Sequence, residues 1–415
     1  MKNRISYLLS VFIVVLTLCY VSNTVAAEEK NKYLLTEEIW NKLSKINELL
    51  ESGQSDNAIN QLNALSVESQ GIAYNLAVIQ QTLGHAYISR NDYLNAISAF
   101  KQALNLNALP VTVVHNLEFN LAQLLIYTEK YKEGLDYFNR WVVSEPNLSM
   151  DVYILAGTAY YESKQYKKAI PYAKKVIDLK STFDETWHQI LLSCYLQTSQ
   201  YENAAVLLES MLTIQPNNKS YWQQLLAIWQ KMDNDQKILA TMELMYTKSL
   251  FDAEQIRQLV NMYLYKDLPY KAANLLKNQI ESGSLAKDAS NWELLSNCWL
   301  QAQEREKAVK ALIEAVKLSD QADLHFRIGQ IYFDLEEYPQ ATIQLKKALS
   351  KDHLTQKGYS QLLLGISQFH QKNYTESQVA LQYALENKSI NPQAKWWLER
   401  IDDLKRDENV QTEVN

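Results

Sequence analysis

The side chains with the greatest capacity for metal or acid–base chemistry are scattered along this chain. The chain has no HExxH, CxxC, GxSxG or GxxxxGK[ST] motif. Acidic pairs such as Glu336-Glu337 and Asp402-Asp403 fit solvated turns and helix faces better than an acid–base site. We therefore expect no catalytic residue, no metal site and no cofactor, and a protein that is not an enzyme. The histidines show no spacing typical of metal ligands: His85, His115, His188, His325, His353 and His370.

The first 27 residues differ from the rest of the chain. Lys2 and Arg4 precede an apolar run, Ile5 to Val21, and small residues end the segment at Ala27. This layout is typical of a secretory signal peptide that is cleaved after Ala27. An uncleaved membrane anchor is the alternative, because the apolar run is nearly long enough to span a bilayer.

Composition narrows the classes of partner. Loss of Lys2 and Arg4 with the signal leaves 39 basic against 47 acidic side chains, which gives a mature charge of −8. A mildly acidic surface disfavours nucleic acid and anionic lipid as main partners. Cys194 and Cys298 fall at the same position of units that lie far apart in the chain, so we expect buried thiols and no disulfide.

Residues 322–349 predict two helices joined by a short acidic turn. Small and aromatic residues share the facing sides of these helices, which lets antiparallel helices approach closely. The face-forming residues are Ile328, Gly329, Tyr332, Ala341, Leu345 and Ala348. With Tyr338 three residues before Ala341, this spacing resembles the tetratricopeptide repeat.

The same pattern recurs along the chain with a period near 34 residues. The residue that marks the second helix of each unit stands at Ala58, Ala96, Gly134, Ala169, Ala204, Ile238, Ala272, Ala308, Ala341 and Ser377. The resemblance implies an all-α fold: a tetratricopeptide (TPR) helix-turn-helix solenoid, wound as a right-handed superhelix, with about ten repeats and a C-terminal capping helix.

The predicted organisation has four parts. Residues 1–27 form the signal peptide, 28–391 the solenoid, 392–406 the capping helix and 407–415 a disordered tail. Within the first unit we expect Trp40 to take a pattern position, and within the cap we expect Trp396 to face the solenoid.

Four glycines stand inside predicted first helices at one repeat position: Gly84, Gly157, Gly329 and Gly365. Glycine in a helix interior costs about 1 kcal/mol relative to alanine. We therefore expect close contact between the two helices of a unit at each of these positions.

The resemblance assigns the non-core positions of the first helices to a partner-binding groove. Amides dominate there, and an amide offers both the donor and the acceptor needed to hold an extended peptide backbone. His85, Phe119 and Phe326 also stand at these non-core positions of the first helices. The alternative is that these amides only solubilise exposed helices. The predicted groove residues are Asn120, Gln123, Tyr127, Tyr161, Gln223, Arg257, Asn261, Tyr265, Asn297 and Arg327.

A narrower resemblance covers about sixty residues. The run 221–225 (YWQQL), the turn 232–234 and Pro269 before Ala272-Ala273 are similar to exported TPR proteins of Gram-negative bacteria that accompany TonB, ExbB and ExbD. This implies a periplasmic scaffold in a TonB-dependent energy-transduction system for iron or siderophore uptake. Its partner would be a protein or extended peptide, such as TonB, ExbB or ExbD.

We expect no nucleic-acid partner and no direct membrane insertion after signal cleavage. The alternative function is an accessory scaffold of another cell-envelope enzyme or assembly machine, which acts on peptidoglycan, outer-membrane proteins or pili.

Overall fold

The structure is a computed structural model that describes residues 33–414, with side chains described through residue 406. The predicted signal segment, residues 1–27, lies outside the described residues. All regular structure in the described part is helical. The chain divides into two compact units, with Pro216 as the last residue of one and Asn217 as the first residue of the other.

The first unit contains five helix pairs. In each pair the two helices pack against each other, and successive pairs stack along the unit. A short 3₁₀ turn, Val142–Ser144, follows the third pair. The ten helices are α1 (Glu37–Glu51), α2 (Ser55–Glu68), α3 (Ala73–Ser89), α4 (Tyr93–Asn105), α5 (Val111–Tyr127), α6 (Tyr131–Trp141), α7 (Met150–Glu162), α8 (Tyr166–Leu179), α9 (Glu185–Gln197) and α10 (Tyr201–Ile214).

The second unit repeats this arrangement with five further pairs and a final helix that packs against the last pair. Its helices are α11 (Lys219–Lys231), α12 (Asp235–Thr247), α13 (Ala253–Tyr265), α14 (Pro269–Glu281), α15 (Ala289–Gln301), α16 (Arg305–Leu318), α17 (Ala322–Asp334), α18 (Tyr338–Leu349), α19 (Lys357–His370), α20 (Tyr374–Ala384) and α21 (Asn391–Val414). The predicted helical solenoid architecture is thus confirmed within each unit.

The predicted repeat register is confirmed. Each of the ten marker residues is the fourth residue of a second helix. Ala58, Ala169 and Ala341 are fully buried, and so is Ser377, whose hydroxyl donates to the carbonyl of Gly365 at 2.7 Å. Only Ile238 is half-buried among the ten.

Close helix contact is confirmed at three of the four mid-helix glycines; a Cβ atom on Gly157 would instead lie 3.0 Å from the ring of Trp187 on α9, in the next pair. A Cβ atom on Gly84 would lie 2.1 Å from the Phe100 ring, and one on Gly329 would lie 2.8 Å from Cγ of Leu345. On Gly365 the same atom would lie 2.6 Å from Cγ of Leu381. We call this tight contact between the two helices of a pair the seam. Glycine is needed there because any side chain would push the helices apart.

The turn inside each pair follows one rule that sequence reading did not reveal. The residue two positions before the second helix has a positive φ, as in Asn91 (φ 59°) and Glu336 (φ 59°). The next N–H donates back into the last turn of the first helix, from Glu337 to the carbonyl of Tyr332 at 2.9 Å. This is the hydrogen bond of a Schellman-type helix end. Only Gly53 fills the position with glycine, so no glycine signal marks the other nine turns.

Two tryptophans depart from the expected positions at the ends of the described chain. Trp40 is 53% exposed on α1, where Ile39 and Leu43 are buried instead. Trp396 is 56% exposed on α21, where Ala394 and Ile401 are buried. Both predictions were wrong. Trp40 stands 18 residues before Ala58, and no other pair buries the residue at that position; Asp151 and Glu254, for example, are exposed there. The final helix also continues beyond residue 406 to Val414, and the disordered tail over residues 407–415 stays a prediction.

Candidate functional site

The candidate site is the exposed side of the first helices in each unit, which we call the first-helix face. The structure buries none of the ten predicted groove residues. In the first unit they lie on α5 and α7, and in the second unit on α11, α13, α15 and α17. Asn120, Gln123, Gln223 and Asn261 make no side-chain hydrogen bond with the described residues. These four amides are therefore available to a partner.

In the second unit, hydrogen bonds join neighbouring first helices. The guanidinium of Arg327 on α17 donates to Glu293 Oε2 at 3.2 Å and to Asn297 Oδ1 at 2.5 Å, both on α15. Arg257 on α13 donates to Glu254 Oε2 at 3.2 Å and to Asn291 Oδ1 on α15 at 3.5 Å. These links place the predicted Arg257, Arg327 and Asn297 on one continuous surface.

The repeat period explains why these side chains meet. Residues 257 and 291 are 34 positions apart, as are residues 293 and 327. One full repeat therefore brings equivalent positions of adjacent first helices side by side. A guanidinium has five N–H donors and these contacts use only part of them, so each arginine keeps donors for a carboxylate or peptide carbonyl.

In the first unit the same face is uncharged and aromatic at the predicted residues. Tyr127 meets Tyr93 edge to face, with ring centroids 4.9 Å apart. Burial and the neighbouring Tyr127 raise the pKa of Tyr93. The hydroxyl of Tyr161 on α7 donates to Ser193 Oγ on α9 at 3.4 Å. This surface can offer ring contacts and neutral hydrogen bonds, which suit apolar side chains or proline.

Three residues expected on this face belong to packing instead. The ring of Phe119 stacks on Trp141 with centroids 4.0 Å apart, and Phe326 is only 5% exposed. His85 is half-buried with its ring edge-on to Phe100, 5.1 Å between centroids. Burial lowers the pKa of His85 to about 4. The repeat register predicts the helix face on which a residue lies, but it does not predict the direction of the side chain. A large ring near the edge of the face can turn toward a neighbouring helix and become buried.

Asn291 is a residue of this region that sequence reading missed. It is 1% exposed, accepts from Arg257 and donates from Nδ2 to the carbonyl of Ala286 at 2.9 Å. It thus fixes the start of α15 while it orients the arginine. Its position one full repeat after Arg257 is the signal that could have identified it.

The six histidines and the two cysteines of the described residues make no common centre. Within residues 33–414, no group of three or more His, Cys, Asp or Glu side chains is placed to hold a metal ion. His325 is buried and hydrogen-bonded to Gln344 and Asp320 at 2.7 Å each. Burial raises the pKa of the Cys194 thiol to about 11 and that of Cys298 to about 12. In the same range, no helix has the length and apolar character required to cross a bilayer.

A family model of the tetratricopeptide repeat matches residues 77–108 and 151–183. The first segment falls on the pair α3–α4 and the second on α7–α8. The chain therefore contains tetratricopeptide repeats, which are typical of protein-interaction scaffolds. No curated protein matches the chain.

Several solved structures are similar to parts of the chain. MamA protein is 17% identical over 42% of this chain and 94% of its own, with a TM-score of 0.34. YrrB, described as a TPR protein with an unusual peptide-binding site, is 13% identical over 45% of this chain and 95% of its own, with a TM-score of 0.35. A tetratricopeptide repeat protein from Parabacteroides merdae is 13% identical over 68% of this chain and 94% of its own, with a TM-score of 0.32. These values carry no inference about what the chain binds.

Proposed function

We propose that this protein is a scaffold that holds a segment of a partner protein along its first-helix face. The observation that carries the proposal is that two unengaged amides, Gln223 and Asn261, lie on the first helices of the second unit, whose two predicted arginines are held by hydrogen bonds to neighbouring residues. Asn261 on α13 is exposed and free of side-chain hydrogen bonds, while Arg257 on the same helix is held in place by Glu254 and Asn291.

This arrangement suits an extended peptide. A peptide backbone alternates donors and acceptors, and each side-chain amide can satisfy one of each. Arginines held by neighbouring residues lose less side-chain entropy when a ligand binds, which favours affinity. The uncharged, tyrosine-containing face of the first unit would take apolar or proline-containing stretches.

The proposed location is the periplasm, and the proposed context is a TonB-dependent energy-transduction system for iron or siderophore uptake. The location is supported by the signal-like layout of residues 1–27, and the context by the similarity around residues 221–273. In this proposal the partner segment belongs to TonB, ExbB or ExbD, and the protein performs no catalysis.

Site-specific photo-crosslinking in cells tests this proposal. A benzoylphenylalanine replaces Asn261 on the first-helix face, and a matched variant carries it at Asn274 on α14, the second helix of the same pair. Cells are irradiated in iron-poor and iron-rich medium, and crosslinked proteins are captured by a C-terminal tag and identified by mass spectrometry.

We expect crosslinks to TonB, ExbB or ExbD from position 261, stronger in iron-poor medium, and few from position 274. Crosslinks from position 261 to cell-wall enzymes or outer-membrane assembly factors would overturn the TonB assignment and keep the scaffold. Equal crosslinking from both positions would contradict the first-helix face as the binding surface.

A further inference from the structure

The second helices present their own exposed side, which we call the outer face. Its positions are the second, third, sixth, ninth and tenth residues of each second helix, none of which is buried in any of the ten pairs. Because these positions are equivalent in all pairs, their charges can be compared directly. On α6, α12 and α16 they combine acidic, basic and neutral residues, and on the other second helices one or two charges of a single sign usually stand among neutral residues.

Helix α8 departs from this pattern. Its outer positions carry four lysines and one proline, and all five are exposed: Lys167, Lys168, Pro171, Lys174 and Lys175. No other second helix has more than two cations at these positions. This concentration occurs in a chain whose net charge is −6.

The charges on α8 are also uncompensated. None of its four outer lysines forms an ion pair with a carboxylate in the described part of the chain. Of the other second helices with two outer cations, α6, α14 and α16 pair at least one of them, whereas Lys346 and Lys347 on α18 form no ion pair within the described residues either. On α14, Lys271 lies 3.4 Å from Glu243 and Lys277 lies 3.7 Å from Glu281. On α16, Lys307 lies 3.1 Å from Glu304.

Four like charges on one short helix repel one another. No two of them are three or four residues apart, so the repulsion acts between sequence neighbours and across the two turns that separate Lys167-Lys168 from Lys174-Lys175, a row of charges that we call the lysine stripe. Asp178 is the one carboxylate on the same helix, and within the described residues it forms no ion pair with them. Lys168 lies over the Tyr160 ring, 5.7 Å from its centroid. The stripe is therefore best explained by an anionic ligand that supplies the missing charge.

The stripe is one helix wide, which limits the kinds of anionic ligand that could bind to it. The outer positions of the following second helix, α10, carry Glu202 and Glu209 without a cation, and those of the preceding one, α6, carry two acidic and two basic residues. The carboxylates of α10 would repel a flat anionic membrane or a duplex broader than one helix. Lysine, moreover, acts as a point charge and lacks the planar fork with which arginine grips phosphate. A single acidic polypeptide segment fits the stripe better than either.

The spacing of the lysines indicates the form of the segment. The pair Lys167-Lys168 precedes the pair Lys174-Lys175 by seven residues, about 10.5 Å along the helix axis. Pro171 lies between them without a polar side-chain group. A partner helix with carboxylate pairs two turns apart would match both lysine pairs at once.

We propose that the outer face of α8 is a second interaction surface, which binds an acidic helical segment of a partner protein. This surface is distinct from the first-helix face and does not depend on what that face binds. The binding energy is mainly electrostatic, so it steers association and weakens as salt is added.

Fluorescence anisotropy with the full chain tests the proposal. The probe is a labelled helical peptide with glutamate pairs two turns apart, and a peptide of equal composition with the glutamates dispersed is its comparison. The variant combines four charge reversals: Lys167→Glu, Lys168→Glu, Lys174→Glu and Lys175→Glu. The matched control, Lys346→Glu with Lys347→Glu, changes the ninth and tenth positions of α18, which lacks the first lysine pair.

We expect the paired-glutamate peptide to bind the unchanged chain, more tightly than the dispersed peptide and less tightly at high salt. The fourfold variant should weaken binding by about tenfold or more, while the α18 control leaves it unchanged. A variant with the same four lysines changed to arginine keeps the charge and should bind as before.

Equal binding of the peptide by the fourfold variant and the unchanged chain would overturn the proposal. Binding of duplex DNA or of phosphatidylglycerol vesicles that depends on the four lysines, without binding of the peptide, would overturn it as well. Circular dichroism of each variant shows whether the exposed substitutions leave the fold intact, and the change of the same lysines to glutamine repeats the test without charge reversal.

Discussion

The seam inside each helix pair and the two exposed faces obey different rules. The seam repeats with the sequence: Gly329 meets Leu345, and Gly365 meets Leu381 at the equivalent place one pair later. The faces vary from pair to pair. Arg257 and Arg327 are held by neighbours on the first-helix face of the second unit, whereas the lysines of α8 have no ion-pair partner within the described chain.

We infer that the seam residues determine stability and that the residues of the exposed faces determine recognition. Where glycine occupies the seam, the facing helix leaves no room for a side chain, so substitutions there should cost folding energy. Other pairs carry a larger residue at the same position, such as Leu192 or Val260. A face position is free of that requirement, so its residue can be chosen for a ligand. Substitutions there should change binding and leave the free energy of unfolding nearly unchanged.

The largest expected effect on stability is at the seam. Gly329→Leu places a side chain where a Cβ alone would lie 2.8 Å from Leu345 Cγ and 3.2 Å from its backbone nitrogen. We expect a loss of about 3 kcal/mol of unfolding free energy, measured by urea denaturation. Gln330→Leu, at the next and half-buried position of α17, is the control and should change little. If the two variants were equally stable, this would contradict the tight contact between Gly329 and Leu345.

A smaller effect on the free energy of unfolding is expected when the pH is lowered. Burial lowers the pKa of His85 from 6.5 to about 4, so between these pH values the unfolded chain binds a proton that the folded chain does not. The stabilisation is complete above pH 6.5 and is lost as pH falls through about 4, at most about 3 kcal/mol. Urea denaturation of His85→Gln across this pH range should show a flatter dependence than the unchanged chain. An identical dependence would place the histidine in solvent.

The smallest effect on stability is expected on the first-helix face. Arg257→Ala, Asn261→Ala and Arg327→Ala together remove partly exposed ion pairs, which contribute about 1 kcal/mol or less each. Thermal unfolding should therefore shift by a few degrees at most. A matched triple variant on the outer face of the same unit should show an equally small shift in thermal unfolding. It combines Asn274→Ala, Lys277→Ala and Lys310→Ala. A collapse of stability in the first variant alone would show that these residues belong to the core.

The sequence predicted the parts of the fold that repeat. The spacing of Ala96, Ala169 and Ala341 located the second helices, because nine of the ten helix pairs bury a small residue at the same place. The same spacing placed Arg257 and Arg327 on one face. It did not reveal that they bond to Asn291 and Asn297, because side-chain contacts depend on rotamers and on the offset between neighbouring helices.

Predictions failed where the type of a residue, and not its place in the repeat, suggested its burial. Trp40 stands at a position that every other pair leaves exposed or half-buried, and on α21 the small Ala394 is buried while Trp396 is exposed. Phe326 turned inward because a large ring gains more from burial than from exposure on the face. The left-handed turn residues escaped notice because Asn, Asp, Glu, Lys, Gln and Ser fill nine of the ten turns in place of glycine.

Partner capture by the two triple-alanine variants tests directly whether the first-helix face holds the partner. Capture is measured in iron-poor cells by crosslinking and mass spectrometry and is compared with that of the unchanged chain. We predict that the variant at Arg257, Asn261 and Arg327 captures its main partner about tenfold less, while the variant at Asn274, Lys277 and Lys310 captures it as before. Undiminished capture by the first variant, with thermal stability intact in both, would show that the first-helix face is not where this protein holds its partner.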